Sequence, residues 1–141
     1  MRNPKWHRDE IILALDLYFS RDRGSIDGNN PKIIELSRVL NRLPLFTERP
    51  DEERFRNSNG VTLKLSNFLP FDPNYSGKGM TGGSKLDEQV FKEYVGRQED
   101  LHAIAEEIRK AAKDDQIRNA LAKVEVDEEW KNDSVLEGQV L

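Results

Sequence analysis

VTLKLSNFL, residues 61–69, admits two foldings. Read with a period of 2, Val61, Leu63 and Leu65 line one side of a strand. Read with a period of 3.6, Val61, Leu65 and Phe68 fall on one helix face at i, i+4 and i+7. The flanks favour the helix: an Asn- and Ser-rich cap with Asn59-Gly60 precedes the run, and Pro70 ends it. With this stretch helical, little strand content remains anywhere. The expected fold is mainly α, and Leu63, Leu65 and Phe68 are expected in the core.

Upstream lie two further helical patterns. Between about Trp6 and Ser20, Ile11, Leu15, Tyr18 and Phe19 mark one face, and Asp9 and Glu10 sit in the first turn, where the helix dipole favours negative charge. RDRGSIDGNNP, residues 21–31, breaks that helix. From Pro31 to Leu43, Ile33, Leu36, Val39, Leu40 and Leu43 form a second stripe, with Asn30 as cap, Pro31 at the first helical position and Pro44 as stop. Pro50 to Phe55 has first-turn acids for a short extra helix. Three helices joined by turns are the inventory of a tri-helical, helix-turn-helix-like core at about 6–70.

Downstream, FDPNYSGKGMTGGSK places four glycines between positions 77 and 83. A loop of this kind either moves or brings backbone close to something. Leu86 to Val95 forms a fourth helix pattern, and Arg97 to about Val124 the longest, with Leu101, Ile104, Ala105 and Ile108 in register. The expected organisation is a head at 1–97, a connecting helix at 98–124, and an acidic tail or linker stub at 125–141.

The 141 residues hold no cysteine, which excludes a disulfide scaffold, a Cys-ligated zinc site and a thiol nucleophile. Neither a membrane span nor a signal peptide is expected, since the N-terminus MRNPKWHRDE is charged from the start, and the expected compartment is the cytoplasm. The net charge of −4 hides a split: residues 1–97 hold 16 Lys+Arg against 14 Asp+Glu, and residues 98–141 hold 6 against 12. A mildly basic head with an acidic tail leaves nucleic acid open as a partner, because a phosphate chain responds to the local patch.

Catalytic patterns are missing from the sequence. His7 and His102 lie far apart without a His partner at helical spacing, and the carboxylates near His7 have a capping explanation, so no metal or cofactor is expected. GKGMTGG lacks the Gly-Lys-Ser/Thr ending of a phosphate-binding loop. The signal for nucleic acid is better. RFRNSNGVTLK, residues 54–64, places Arg54, Arg56 and Lys64 around a helix start supplied with Asn57, Asn59 and Thr62. Arg and Lys suit phosphates or guanine, Asn suits adenine or phosphate, and a helix N-terminus attracts phosphate. Tyr75, Lys78 and Lys85 bracket the glycines, with Tyr75 as a candidate stacking ring. The bland alternatives are a cap, a solvated surface and a mobile loop.

WHRDEIILALDLYF, ELSRVLNRLP, RFRNSNGVTLKLSNFLPFDPNYSGKGMTGGSK and LDEQVFKEYV together resemble the N-terminal head domain of McrA-type HNH endonucleases, over roughly residues 3–110. These are modification-dependent restriction enzymes, often 5-methylcytosine-specific. Arg56, Asn57, Asn59, Lys64, Asn67, Tyr75, Gly77, Lys78 and Gly79 lie in the family-like string. The resemblance implies a reading head for double-stranded DNA, with a preference for methylated cytosine, serving a type IV-like restriction system. In such family members an HNH module follows, with a His general base, metal ligands and commonly Cys pairs. This sequence has no Cys and no His after His102, so no nuclease residue carries over and the expectation is a binding module, not an enzyme. The alternative is a protein-interaction or regulatory module that binds an HNH nuclease or a full-length partner.

Overall fold

A computed structural model describes residues 2–46, 48–51, 53–75, 77 and 82–135, with side chains described as far as residue 116. Five α-helices and one 3-10 turn follow in order: α1 (Arg8–Phe19), α2 (Pro31–Arg42), α3 (Ser58–Ser66), the 3-10 turn (Leu69–Phe71), α4 (Lys85–Tyr94) and α5 (Gln98–Val135). No strand occurs among the described residues. No helix there is long and apolar enough to cross a membrane.

The middle of the molecule is α1. Glu10, Ile11, Ile12, Leu13, Ala14 and Leu15 are buried in succession, followed by Leu17 and Tyr18. A helix buried all round must be surrounded, and α1 contacts α2, α3, α4 and α5. The single stripe expected from Ile11, Leu15 and Tyr18 therefore understates its burial. The other helices present one face each. In α2 the buried stripe is Ile33, Leu36, Val39 and Leu40. In α4 it includes Val90, Phe91 and Tyr94, and in α5 it includes Leu101, Ala105 and Ala112.

Side-chain caps fix the helix starts. His7 is the cap of α1: its Nδ1 accepts from the Asp9 N–H at 3.0 Å, while Glu10 reaches back to the His7 N–H at 2.9 Å. Asn30 accepts from the Lys32 N–H at 2.9 Å with Pro31 at the first position. Ser84 and Asp87 form a second capping box on α4. Residues 53–56 form a turn instead of a short helix. The final helix continues to Val135, past the expected end near Val124 and into the stretch expected as tail.

Tyr18, Phe19, Phe68, Phe71 and Phe91 form an aromatic cluster between α1, the 3-10 turn and α4. The Tyr18 hydroxyl donates to Asp72 at 2.7 Å, and burial, reinforced by that carboxylate, raises its pKa. The cluster anchors the chain leaving α3.

Candidate nucleic-acid interface

The short helix α3 has two unlike sides. Val61, Leu65 and the following Phe68 are 0% exposed and face the core. Leu63 stands two residues from each of Val61 and Leu65, about 200° round the helix. It is 64% exposed, which corrects its expected place in the core. The outward side carries Asn59, exposed, and Leu63, with Thr62 half-buried beside them.

Arg56 does not belong to that outward side. It is 3% exposed, and its partner Glu10 is 0% exposed. The guanidinium donates through Nε to Glu10 Oε2 at 2.8 Å and through Nη2 to Glu10 Oε1 at 3.0 Å. Nη2 also reaches the Pro4 carbonyl at 2.9 Å. The rings of Trp6 and Phe55 lie 4.7 and 4.5 Å from the guanidinium carbon. The residue adopts a left-handed backbone, φ 48°. Ser37 Oγ donates to its carbonyl at 2.7 Å and Asn41 to the Phe55 carbonyl at 2.9 Å, so α2 holds the turn in place.

Lys64 is likewise internal, 8% exposed. Its Nζ donates to both Asp87 oxygens at 3.0 Å and lies 5.0 Å from the Trp6 ring centre. Asp87 is the acid of the α4 capping box. Gly83 permits this approach, since a Cβ there would run into the Asp87 carboxylate and the Asn67 Cβ. The expectation that Arg56 and Lys64 contact phosphate is thus corrected: each is neutralised by a buried carboxylate from a distant part of the chain.

The remaining candidates divide. Asn57 is the α3 cap, accepting from the Gly60 N–H at 2.9 Å and donating to the Glu53 carbonyl at 2.7 Å. The cap therefore lies two residues before Asn59-Gly60. Thr62 Oγ1 donates back to the Ser58 carbonyl at 2.8 Å. Asn67 ends α3, its N–H directed at the Leu63 and Lys64 carbonyls. Arg54 is exposed, in a long 3.9 Å pair with Asp51. Lys85 is exposed at the start of α4. Tyr75 is 37% exposed and its ring covers Gly77, where a Cβ would collide with it. Lys78 and Gly79 lie outside the described residues.

Two arginines that sequence reasoning passed over stand at the same end of α3. Arg38 and Arg42, both exposed on the back of the α2 stripe, line a groove of about 620 Å³ together with Ser37, Asn41, Asn57 and Ser58. Their i, i+4 spacing opposite Ile33, Leu36 and Leu40 was the available signal. Arg38 has a 3.8 Å contact with Glu35. The groove thus brings two exposed arginines of α2 beside the N-terminal turn of α3, whose dipole is positive.

His102 is not the lone histidine its sequence position implies. Across the helices it meets Asp16, Nδ1 to Oδ1 at 3.0 Å, with Glu106 nearby. Among the described residues, these three form the group of potential metal ligands, away from α3.

No family model, curated protein or solved structure matches this chain.

Proposed function

We propose that the chain is a duplex-DNA-binding module, a reading head of the McrA type with a helix-turn-helix-like core, in which α3 and the groove at its N-terminus meet the DNA. The observation that carries this reading is the groove itself, where Arg38 and Arg42 flank Asn57 and Ser58 at a helix N-terminus. Two guanidinium groups and a positive dipole end suit a phosphate. With a phosphate held there, the adjoining outward side of α3 is presented to a base edge: Asn59 suits adenine, and exposed Leu63 suits the methyl of thymine or 5-methylcytosine. Arg54 and Lys85 add backbone contacts at the edges. The module binds and carries out no cleavage of its own; an HNH nuclease would act in partnership with it.

The test is fluorescence anisotropy with methylated and plain duplexes of one sequence at several salt concentrations. Affinity should fall with salt at a log–log slope of about −0.9 per neutralised phosphate. The Arg38→Ala, Arg42→Ala double variant should weaken binding to both duplexes and flatten the slope by about 1.8 if each arginine meets one phosphate. An unchanged slope removes the groove from the interface. No binding to either duplex at low salt moves the reading to the protein-interaction alternative, which exposed Leu63 would also serve.

A further inference from the structure

The opposite flank of the molecule holds a second constellation. Asp16 lies in the last turn of α1, where the helix dipole disfavours a carboxylate. Its side chain is only 14% exposed, and capping does not explain it. It faces His102 on α5, with Nδ1 3.0 and 3.2 Å from its two oxygens. Glu106 follows one turn along α5, its Oε1 3.9 Å from His102 Nε2. One ligand atom from each residue can be chosen so that all lie within 4.8 Å of one another.

We propose that Asp16, His102 and Glu106 bind one zinc-class divalent ion that joins α1 to α5. Imidazole with two carboxylates is a donor set that suits zinc. Zn–N and Zn–O bonds of about 2.0–2.2 Å put neighbouring tetrahedral ligands roughly 3.3–3.6 Å apart, within the spread already present. Only one ring nitrogen binds. The small rotation this requires falls on His102 and Glu106, whose side chains are 64% and 58% exposed, while Asp16 stays fixed by its burial.

The surroundings leave room for a further ligand beside the donor set. The three residues stand on the wall of a groove of about 710 Å³, formed by the end of α1, the start of α2 and one face of α5. Three protein ligands leave a fourth position open to that groove, the arrangement of a reactive rather than a closed structural zinc site. Arg21 and Arg109 line the same groove, along with Glu35 and with Lys32, which is paired with Asp22, so an anionic fourth donor such as a carboxylate or phosphate would meet the two arginines. This site is separate from the α3 face and does not depend on the DNA reading.

The experiment uses the full chain without a histidine tag, stripped with chelator. Calorimetry with Zn²⁺ and visible spectroscopy with Co²⁺ should each show one ion per chain, and saturating Zn²⁺ should raise the Tm. His102→Gln, Asp16→Asn and Glu106→Gln should each weaken Zn²⁺ binding by at least the tenfold that even an outer-shell partner is worth, and should reduce the Co²⁺ absorption. His7→Asn, which keeps a capping side chain, should leave binding intact. Far-UV circular dichroism checks that each variant is folded. Absence of one-to-one binding in the wild-type chain, unchanged binding in folded His102→Gln, or loss of binding in folded His7→Asn overturns the proposal.

Discussion

The inward side of α3 carries its cations and the outward side carries almost none. Arg56, at the turn into the helix, and Lys64, within it, each end on a buried carboxylate, Glu10 and Asp87. Leu63, an aliphatic residue, is in the open. This inverts the usual sorting of charge outside and hydrocarbon inside. What permits it is economy in the partners. Glu10 and Asp87 are both the acids of capping boxes, so each already had to lie at a helix start near the centre. Each then serves two cationic demands, its own helix N-terminus and one side chain of the α3 region. Trp6 covers both cations at once.

The largest expected effect comes from breaking the inward side. Arg56→Ala leaves Glu10 buried without its counter-charge, and removal of one member of a buried pair costs about 3–5 kcal/mol. Urea denaturation should show a loss of that size, with the same protein still binding DNA under conditions where it is folded. A folded Arg56→Ala chain with native stability and lost DNA affinity would return Arg56 to the interface.

A paired substitution sharpens the contrast. Leu65→Ala removes a side chain with 0% exposure and should cost about 2–5 kcal/mol. Leu63→Ala, two residues away, should stay within about 0.5 kcal/mol. Equal costs would mean that Leu63 is covered in solution, for instance by a second chain.

The places where sequence and structure part company share one cause. The stripe of α2, its Asn30-Pro31 start and its Pro44 stop were legible because every relevant partner lies within a helical turn or two. That Val61 to Leu65 are helical was legible for the same reason, although α3 starts earlier, at Ser58, and ends at Ser66, before Pro70, which sits in the following 3-10 turn. The destinations of Arg56 and Lys64 were not, since their partners lie 46 and 23 residues away. Local spacing gives a cation no side until the fold is known. The same holds for His102, whose Asp16 partner is 86 residues away. Leu63 is different. The face reading of Val61, Leu65 and Phe68 already placed it opposite them, and counting it as core rested on residue type against periodicity. Arg38 and Arg42 were equally readable from the back of the α2 stripe.

The outward side is broken more gently. If Leu63 meets the methyl group of 5-methylcytosine, Leu63→Ala should reduce discrimination between methylated and plain duplexes by about 1 kcal/mol or less, the worth of one buried methyl. Anisotropy on the two duplexes measures this ratio directly. Tyr75→Ala should leave the ratio unchanged, because its ring packs over Gly77. A ratio that falls in Tyr75→Ala and not in Leu63→Ala would transfer the reading to the loop.

The smallest effect belongs to a pair that is neither buried nor alone. Arg8 donates to Glu93 at 2.6 Å across α1 and α4, with both side chains about one-third exposed. The hydrogen bond from Arg8 holds the Glu93 carboxyl below the usual glutamate range, and Glu93 in turn raises Arg8. Because the folded-state pKa is the lower one, the pair stabilises the fold above the unfolded glutamate pKa of about 4.3 and loses that contribution as pH falls through the folded value. Wild type and Glu93→Gln should therefore differ in Tm at pH 7 and converge in the acid range. Solvent screening keeps the difference small, and added salt should shrink it further. The Arg56–Glu10 pair, shielded from water by Trp6 and Phe55, should respond far less to the same salt. Equal salt sensitivity in the two pairs, measured as the stability differences of Glu93→Gln and Arg56→Ala across a salt series, would mean that the Arg56 side of α3 is as open to water as the Leu63 side.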